Sequence, residues 1–179
     1  MPSSSPLSTG AWSVLALLCE GDTHGWALVR ALAPTGEIGR VWSTKRALVY
    51  RTVDLIVEAG FVERAGVEEG TRGATRTLLR ATPAGHAAVA GWLAEPVRHV
   101  RDLRSDLLLK LLFNQRAGHN RVPLLHTQRA LIAEIVGQLE ARVSAASTTD
   151  ATVDAFRLET ARAGLRFVEG ELARTISTA

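Results

Sequence analysis

Positively charged side chains are concentrated in two short segments of this chain. Residues 39–53 contain no acid and four cations: Arg40, Lys45, Arg46 and Arg51. Residues 71–82 also contain no acid, and they contain three cations: Arg72, Arg76 and Arg80. The formal net charge is only +3 over 179 residues, so the positive charge is local. This placement on a nearly neutral chain predicts an anionic partner that is contacted at defined places.

Residues that could support catalysis or bind a metal are few and scattered. The single cysteine, Cys19, lies on the apolar stripe of a predicted first helix, where a small buried side chain is the expected role. His86, His99, His119 and His126 lack the paired spacing of a metal site, and there is no His-Glu-x-x-His motif. We therefore predict no enzyme, no metal and no cofactor, with a hydrolase or transferase that uses Cys19 as an alternative.

The composition indicates a protein of the cytoplasm. The apolar runs VLALLC and LLLKLLF are far shorter than the roughly 20 residues of a membrane-spanning helix. The first residues, MPSSSPLSTG, lack the basic and apolar regions of a signal peptide and predict a short flexible arm. One cysteine excludes an internal disulfide. We expect a soluble, cytoplasmic chain with no membrane partner.

Three helical segments are predicted in the first 60 residues. Ser8 or Thr9 can cap the first helix, whose apolar residues recur at helical spacing from Trp12 to Cys19. A short second helix is predicted at 26–32, before Pro34. The third helix begins near Ser43 or Thr44, either of which can accept its free amide groups, and Gly60 ends it.

A hairpin and further helices follow. The segments FVERA and TRTLLRA, separated by the glycine-rich EEGTRGA, predict two strands joined by a long loop. Thr82 followed by Pro83 is typical of a helix start. After Pro96 only helical patterns occur, with leucine-rich stripes in 102–113, after Pro123, and near the end of the chain. The sequence thus predicts a mainly α-helical fold with a small β-hairpin, divided into domains 7–95 and 96–179.

Three helices, a hairpin and a fourth helix, in that order, are typical of a winged helix-turn-helix. In such a domain the third helix enters the major groove of DNA and the hairpin is the wing. Two apolar stripes compete for the buried side of this helix: Val49, Val53 and Ile56, or Leu48, Leu55 and Ala59. Periodicity alone does not choose between them.

The chain resembles the PadR family of bacterial transcription regulators. Four segments carry the resemblance: AWSVLALLCEGDTHGW, VWSTKRALVYRTVDLIVEAGFV, the arginine-bearing hairpin, and TPAG at the start of the fourth helix. The resemblance is strong over 7–95 and weaker beyond it. It implies that the Val49 stripe is buried, and that the pair Tyr50-Arg51 belongs to a recognition helix. It also implies a homodimer formed by the C-terminal helices.

The predicted function is a transcriptional regulator, specifically a repressor that binds a palindromic operator in double-stranded DNA as a homodimer. The predicted contacts from the third helix are Ser43, Thr44, Lys45, Arg46, Tyr50 and Arg51, and those from the wing are Arg72 and Arg76. Two functions of Trp92 remain open, contact with a small-molecule effector that releases DNA, or simple packing in the core. Unpaired leucine stripes in the C-terminal half independently favour a two-fold partner.

Two further alternatives follow from individual features. Exposed leucines at Leu48 and Leu55 would suit a protein-interaction module that has kept the winged-helix scaffold without binding DNA. The residues Gly70 to Gly73 match the GxxG loop of an RNA-binding module, although the surrounding elements do not follow the order of that module.

Overall fold

The computed structural model describes residues 7–69, 75–145 and 149–177. The first elements are α1 (Thr9–Cys19), β1 (Thr23–His24), α2 (Gly25–Ala31), α3 (Arg46–Glu58), β2 (Val62–Glu69), β3 (Thr75–Ala81) and α4 (Pro83–Ala94). They are followed by a 3-10 turn (Val100–Asp102), a π-helical turn (Leu103–Leu107), α5 (Leu108–Arg116), α6 (Val122–Ala145) and α7 (Thr149–Ser177). The predicted mainly α-helical fold with a small hairpin is confirmed. None of the described helices is long and apolar enough to cross a membrane.

The chain folds into two units, each with its own packing. The first, which we call the winged-helix unit, extends to Leu93 and includes Leu108–Phe113; the helical unit comprises Ala94–Leu107 and the residues from Asn114 onward. The start of α5 belongs to the winged-helix unit because Leu109 and Phe113 are buried in its core. The division into domains 7–95 and 96–179 stays a prediction.

Helix α1 is the centre of the winged-helix unit. Its residues 11–16 are all buried, as is Leu18, because the helix packs against both α3 and β3. The predicted single stripe from Trp12 to Cys19 was therefore too narrow, and Cys19 is only half-buried. Ser8 caps the helix as predicted, since its hydroxyl accepts the Ala11 amide at 3.3 Å.

A three-stranded antiparallel sheet in the order β1-β3-β2 lies beside these helices. The predicted hairpin is β2 and β3. The short strand β1 was not predicted, because two residues, Thr23 and His24, are too few to show alternation. They pair with Leu79 and Leu78 of β3. The register of the hairpin shifts between Arg64 and Gly66 of β2. At the end of the hairpin away from its loop, β3 pairs with β1 and packs on α1.

Helix α3 ends in a hydrogen-bonded glycine motif that connects it to the wing. The Gly60 amide donates to Val57 and the Phe61 amide to Ile56, both at 3.0 Å, and Gly60 has a φ of +77°. Thr82 then donates its hydroxyl to the Gly60 carbonyl at 2.8 Å and accepts the Gly85 amide at 3.2 Å, which caps α4. Both predicted boundaries, Gly60 and Thr82, are confirmed.

The helical unit is an antiparallel pair of long helices, and the segment that precedes them is hydrogen-bonded to one of the two. Helices α6 and α7 pack along each other. Gln128, which is fully buried, accepts the Val97 amide at 2.7 Å and donates to the Val97 carbonyl at 2.9 Å. Buried Asp154 accepts two hydrogen bonds from Arg142, at 3.0 and 2.9 Å. The π-helical turn was not predicted, and it interrupts the continuous leucine-rich helix that the sequence suggested.

The motif at Gly60 generates a prediction about stability. Gly60→Ala should lower the free energy of unfolding by roughly 1–2 kcal/mol, because an alanine at this positive φ is sterically disfavoured. Urea unfolding followed by tryptophan fluorescence measures this change, since all four tryptophans lie in the winged-helix unit.

The matched control is Gly91→Ala. Gly91 lies within α4, and a Cβ there would meet no atom within 4 Å. This substitution should raise the free energy of unfolding by up to about 1 kcal/mol, because alanine loses less backbone entropy in a helix. Equal effects of the two substitutions would contradict the conformational role of Gly60.

Candidate nucleic-acid interface

The rotation of α3 about its axis decides which of its side chains face solvent. Val49 and Ile56 are 0% exposed and Val53 is 5% exposed, whereas Leu48 and Leu55 are 51% and 49% exposed. The resemblance predicted burial of the Val49 stripe, and this prediction is confirmed. Burying that stripe on α1 leaves the opposite side of α3 open to solvent.

The cations of α3 are on this open side. Lys45, Arg46 and Arg51 are exposed, and no carboxylate in the described part of the chain pairs with them. Arg46 lies over the Tyr50 ring, 5.7 Å from its centre, and Tyr50 is itself 39% exposed. Three positive charges without a negative partner therefore face solvent within two turns of helix.

The start of α3 carries no side-chain cap, which corrects a prediction. Ser43 or Thr44 was expected to cap the helix, but the N-cap position is Lys45, whose side chain accepts no hydrogen bond. An ammonium group has only donors, so it cannot satisfy the free amides. The Thr44 hydroxyl is instead buried without a partner among the described residues. No side chain therefore caps α3, and among its first amides that of Leu48 donates to the Lys45 carbonyl at 2.9 Å.

The wing strand brings one further predicted cation to the same surface. Arg76, near the start of β3, is exposed and shares a cavity of about 480 Å³ with Arg46 and Tyr50 of α3. Trp26 of α2 also lines this cavity. Arg72, the other predicted wing contact, lies outside the described residues. The structure therefore unites the predicted contacts Arg46, Tyr50 and Arg76, and places exposed Lys45, Arg51 and Ser43 on or directly before the same helix.

Sequence reasoning missed two residues of this cavity wall. Trp26 is 47% exposed, and two guanidinium groups approach its ring, Arg30 at 4.9 Å and Arg76 at 6.0 Å. His24 caps α2 by accepting the Ala27 amide at 3.2 Å through Nδ1, and its Nε2 lies 3.4 Å from Arg76. The sequence signal that could have identified these two residues was an aromatic residue directly after His24-Gly25, with an arginine four residues later.

A glycine next to Trp26 lets Tyr50 approach the start of α2. A Cβ on Gly25 would lie 2.6 Å from Cε1 of Tyr50. The ring of Tyr50 therefore packs directly on the α2 backbone.

Other cations near the wing are neutralised by carboxylates. Arg80 of β3 makes a two-pronged contact with Asp22, at 2.6 and 2.9 Å, and lies 3.8 Å from Glu63. The hydrogen bonds from Arg80 hold the pKa of Asp22 below its ordinary value. Arg64 pairs with Asp54 at 2.8 Å. These arginines tie strands to neighbouring elements, and their charge is already compensated.

Trp92 lies in the core of the winged-helix unit. It is 6% exposed, and its ring stacks on Trp12 with centres 5.4 Å apart and planes within 3°. Phe113 meets it edge-on at 6.3 Å, and the Lys110 ammonium lies 5.4 Å from its centre. Packing accounts for its position. Its role as an effector contact stays a prediction.

The site as a whole offers binding rather than bond-making chemistry. It combines unpaired cations, a helix start without a side-chain cap and a tyrosine hydroxyl, all of which can contact phosphate oxygens. Among the described residues, no group of three or more histidine, cysteine, aspartate or glutamate side chains could hold a metal ion. Fold and site together define a winged helix-turn-helix domain with a basic third helix.

Comparisons with known proteins find similar chains only among solved structures. No protein-family model and no curated protein matches the chain. Among solved structures, Bacillus subtilis PadR in complex with operator DNA is 17% identical, with a TM-score of 0.46 over 90% of this chain and 97% of that chain. A Streptococcus mutans protein is 18% identical, with a TM-score of 0.45 over 92% and 98% of the two chains. A PadR-like transcriptional regulator from Bacillus cereus is 15% identical, with a TM-score of 0.43 over 97% and 99%.

The half-buried position of Cys19 predicts that its thiol reacts slowly with alkylating reagents. Burial, aided by the nearby charge of Glu20, raises the pKa of Cys19 from 9.0 to about 11. At pH 8 this leaves about a hundredfold less thiolate than in the unfolded chain. The greater nucleophilicity of a more basic thiolate offsets about tenfold of that loss.

Alkylation by iodoacetamide at pH 8 should therefore be about tenfold slower in the native protein than in urea, as measured by mass spectrometry. If the Cys19 thiol reacted faster in the native than in the unfolded protein, the result would support the alternative of a hydrolase or transferase that uses Cys19.

Proposed function

We propose that this chain is a DNA-binding transcriptional regulator whose α3 enters the major groove of its operator. The observation that carries the proposal is the row of unpaired cations Lys45, Arg46 and Arg51 at the uncapped start of α3. Cations that only stabilise a fold are usually paired, as Arg80 is with Asp22. The exposure of the α3 cations at a helix start without a side-chain cap instead suits the phosphates that line a groove.

The wing supports the same assignment. Arg76 borders the cavity that Arg46 and Tyr50 also line, so a duplex against α3 would pass close to β3. The predicted contact Arg72 belongs to the segment between β2 and β3, where a wing reaches the backbone or the minor groove. Ser43 and Thr44 precede α3. Of the two, exposed Ser43 is the better placed to meet a phosphate, because Thr44 is partly buried.

The active form that we propose is a homodimer joined through α7. The side of α7 opposite to its buried face carries residues that are alternately three and four positions apart: Val153, Phe156, Thr160, Ala163, Phe167 and Gly170. Val153 is 50% exposed, Phe156 is 73% exposed and Phe167 is 37% exposed. Such spacing is the pattern of a seam between packed helices. A second copy of α7 would cover the phenylalanine rings.

A two-fold dimer implies a palindromic operator. Two recognition helices related by a two-fold axis read inverted half-sites about one DNA turn, roughly 34 Å, apart. We take the regulator to be a repressor that is released when an effector or another signal at the helical unit changes the separation of the two wings. Trp92, for which both effector contact and core packing were predicted, lies in the winged-helix unit, and its effector role stays a prediction.

One observation favours a second candidate. Leu48 and Leu55 expose about half of their surface on α3, which would suit a protein-interaction module without DNA binding. A gel shift with the region upstream of the gene for this protein discriminates the two, since only the regulator retards the duplex.

Removing an unpaired cation should weaken DNA binding and reduce its dependence on salt. For Arg51→Ala we expect the slope of log affinity against log salt to flatten by about one unit per phosphate contact removed, because fewer counterions are released. Fluorescence anisotropy with a duplex chosen by selection from random sequences measures both the affinity and the slope.

The matched control is Arg80→Ala. It removes the same charge from the same unit, but that charge is paired with Asp22 and Glu63, so the salt slope should change much less. Equal slopes for wild type and Arg51→Ala would count against the proposed function.

Placing a charge in the α7 seam should separate the dimer. Phe156→Glu would bury a carboxylate without a partner at the proposed interface, so sedimentation equilibrium should show a monomer whose affinity for a palindromic duplex is greatly reduced. Ala173→Glu is the control, because Ala173 is exposed on α7 but lies to the side of the seam. A wild-type protein that sediments as a monomer, or a Phe156→Glu protein that stays dimeric, would rule out this interface.

A further inference from the structure

We infer that Leu48 is a specificity-determining residue that contacts the 5-methyl group of a thymine in the major groove. The inference rests on the proposed function and adds to it a chemical preference within each half-site. Isolated exposed leucines are common on protein surfaces, so exposure alone does not carry the inference. It depends on where Leu48 stands relative to the cations of α3.

Leu48 stands between two unpaired cations on one side of the helix. Lys45 precedes it by three residues and Arg51 follows it by three, and residues at this spacing are neighbours on a helix surface. All three side chains are exposed. If Lys45 and Arg51 reach phosphates, the side chain between them is directed toward base edges. Among base edges in the major groove, only thymine presents a methyl group that an aliphatic side chain can cover.

The other exposed leucine, Leu55, stands in a different electrostatic environment. It lies seven residues further along α3, about 10 Å by the rise of a helix. Glu58 follows it by three residues and is exposed, and a carboxylate there is repelled by phosphates. Recognition helices usually contact bases through their N-terminal residues, and Leu48 is the third residue of α3. We therefore assign base contact to Leu48 and not to Leu55.

The surroundings of Leu48 fit DNA better than a protein partner. A stable protein interface buries about 800 Å² on each side, and half of one leucine side chain contributes little to such an area. Lysine is also depleted in the centres of protein interfaces, whereas Lys45 lies directly beside Leu48. Complementary charge therefore favours the polyanion.

The test replaces thymine by deoxyuridine, which differs only by the missing methyl group. Each thymine of the selected operator is replaced in turn, at equivalent positions of both half-sites, and affinities are measured by fluorescence anisotropy. Wild type should lose about fourfold per half-site at one position, the factor that corresponds to about 0.8 kcal/mol for one buried CH₂-sized group.

The variants Leu48→Ala and Leu55→Ala assign the effect to a residue. Leu48→Ala should bind the thymine operator more weakly and lose nothing further on replacement by deoxyuridine. Leu55→Ala, truncated at a leucine of equal exposure, should keep the full methyl dependence. Both substitutions are at exposed positions, and thermal unfolding provides the check that each variant is folded.

Three results would overturn the inference. Wild-type binding that is indifferent to every methyl group would exclude it and leave DNA binding intact. A Leu48→Ala variant that retains the methyl dependence, or a Leu55→Ala variant that loses it, would exclude Leu48 as the contact. If the wild-type protein selects no duplex at all, the proposed function fails, and the inference fails with it.

Discussion

Burial of three side chains of α3 against the core is the constraint on which the surface of this protein depends. Val49, Val53 and Ile56 are almost completely excluded from solvent. One residue on a helix corresponds to a rotation of about 100°, so choosing this stripe over Leu48 and Leu55 turns the whole helix. The choice exposes Arg51 and directs Tyr50 toward the wing. The basic character of the surface therefore follows from apolar packing, because the cations make no contacts that would orient the helix.

The surroundings of α3 explain why this packing is stable. Helix α1, buried on nearly all sides, provides a surface against which α3 and β3 both pack. The glycine motif at Gly60 turns the chain directly into β2, and Thr82 joins the end of the wing back to Gly60. The start and end of the wing are thus held at one point. Strands β2 and β3 extend from this point, and Arg76 of β3 borders the same cavity as Arg46 of α3.

The sequence predicted those parts of the fold whose signals are local. Ser8, Gly60 and Thr82 each have the backbone role that their residue types predict, and the glycine-rich segment between FVERA and TRTLLRA indicated a hairpin. It could not predict β1, because Thr23 and His24 become a strand only by pairing with β3. The prediction of a side-chain cap for α3 was wrong for a related reason. Thr44 has the chemistry of a cap, but packing buries its hydroxyl, and no periodicity reveals that. The cavity beside Trp26 likewise arises from five elements, β1, α2, α3, β2 and β3, most of which are distant in sequence.

Charge pairing separates the structural arginines from those available to a ligand. In the helical unit, Arg129 pairs with Glu169, Arg142 with Asp154, and Arg162 with Glu140 and Glu159. Most of these pairs join α6 to α7, so they fix the register of two long helices, while their positive charge is cancelled locally. The net charge of +3 therefore does not show where positive charge is compensated and where it is not. Where carboxylates are close, the charge of an arginine is compensated; from Lys45 to Arg51 it is not, which suits the anionic partner that we propose. The uncompensated charge of the segment from Lys45 to Arg51 is why this segment indicates a partner that the total charge alone would not suggest.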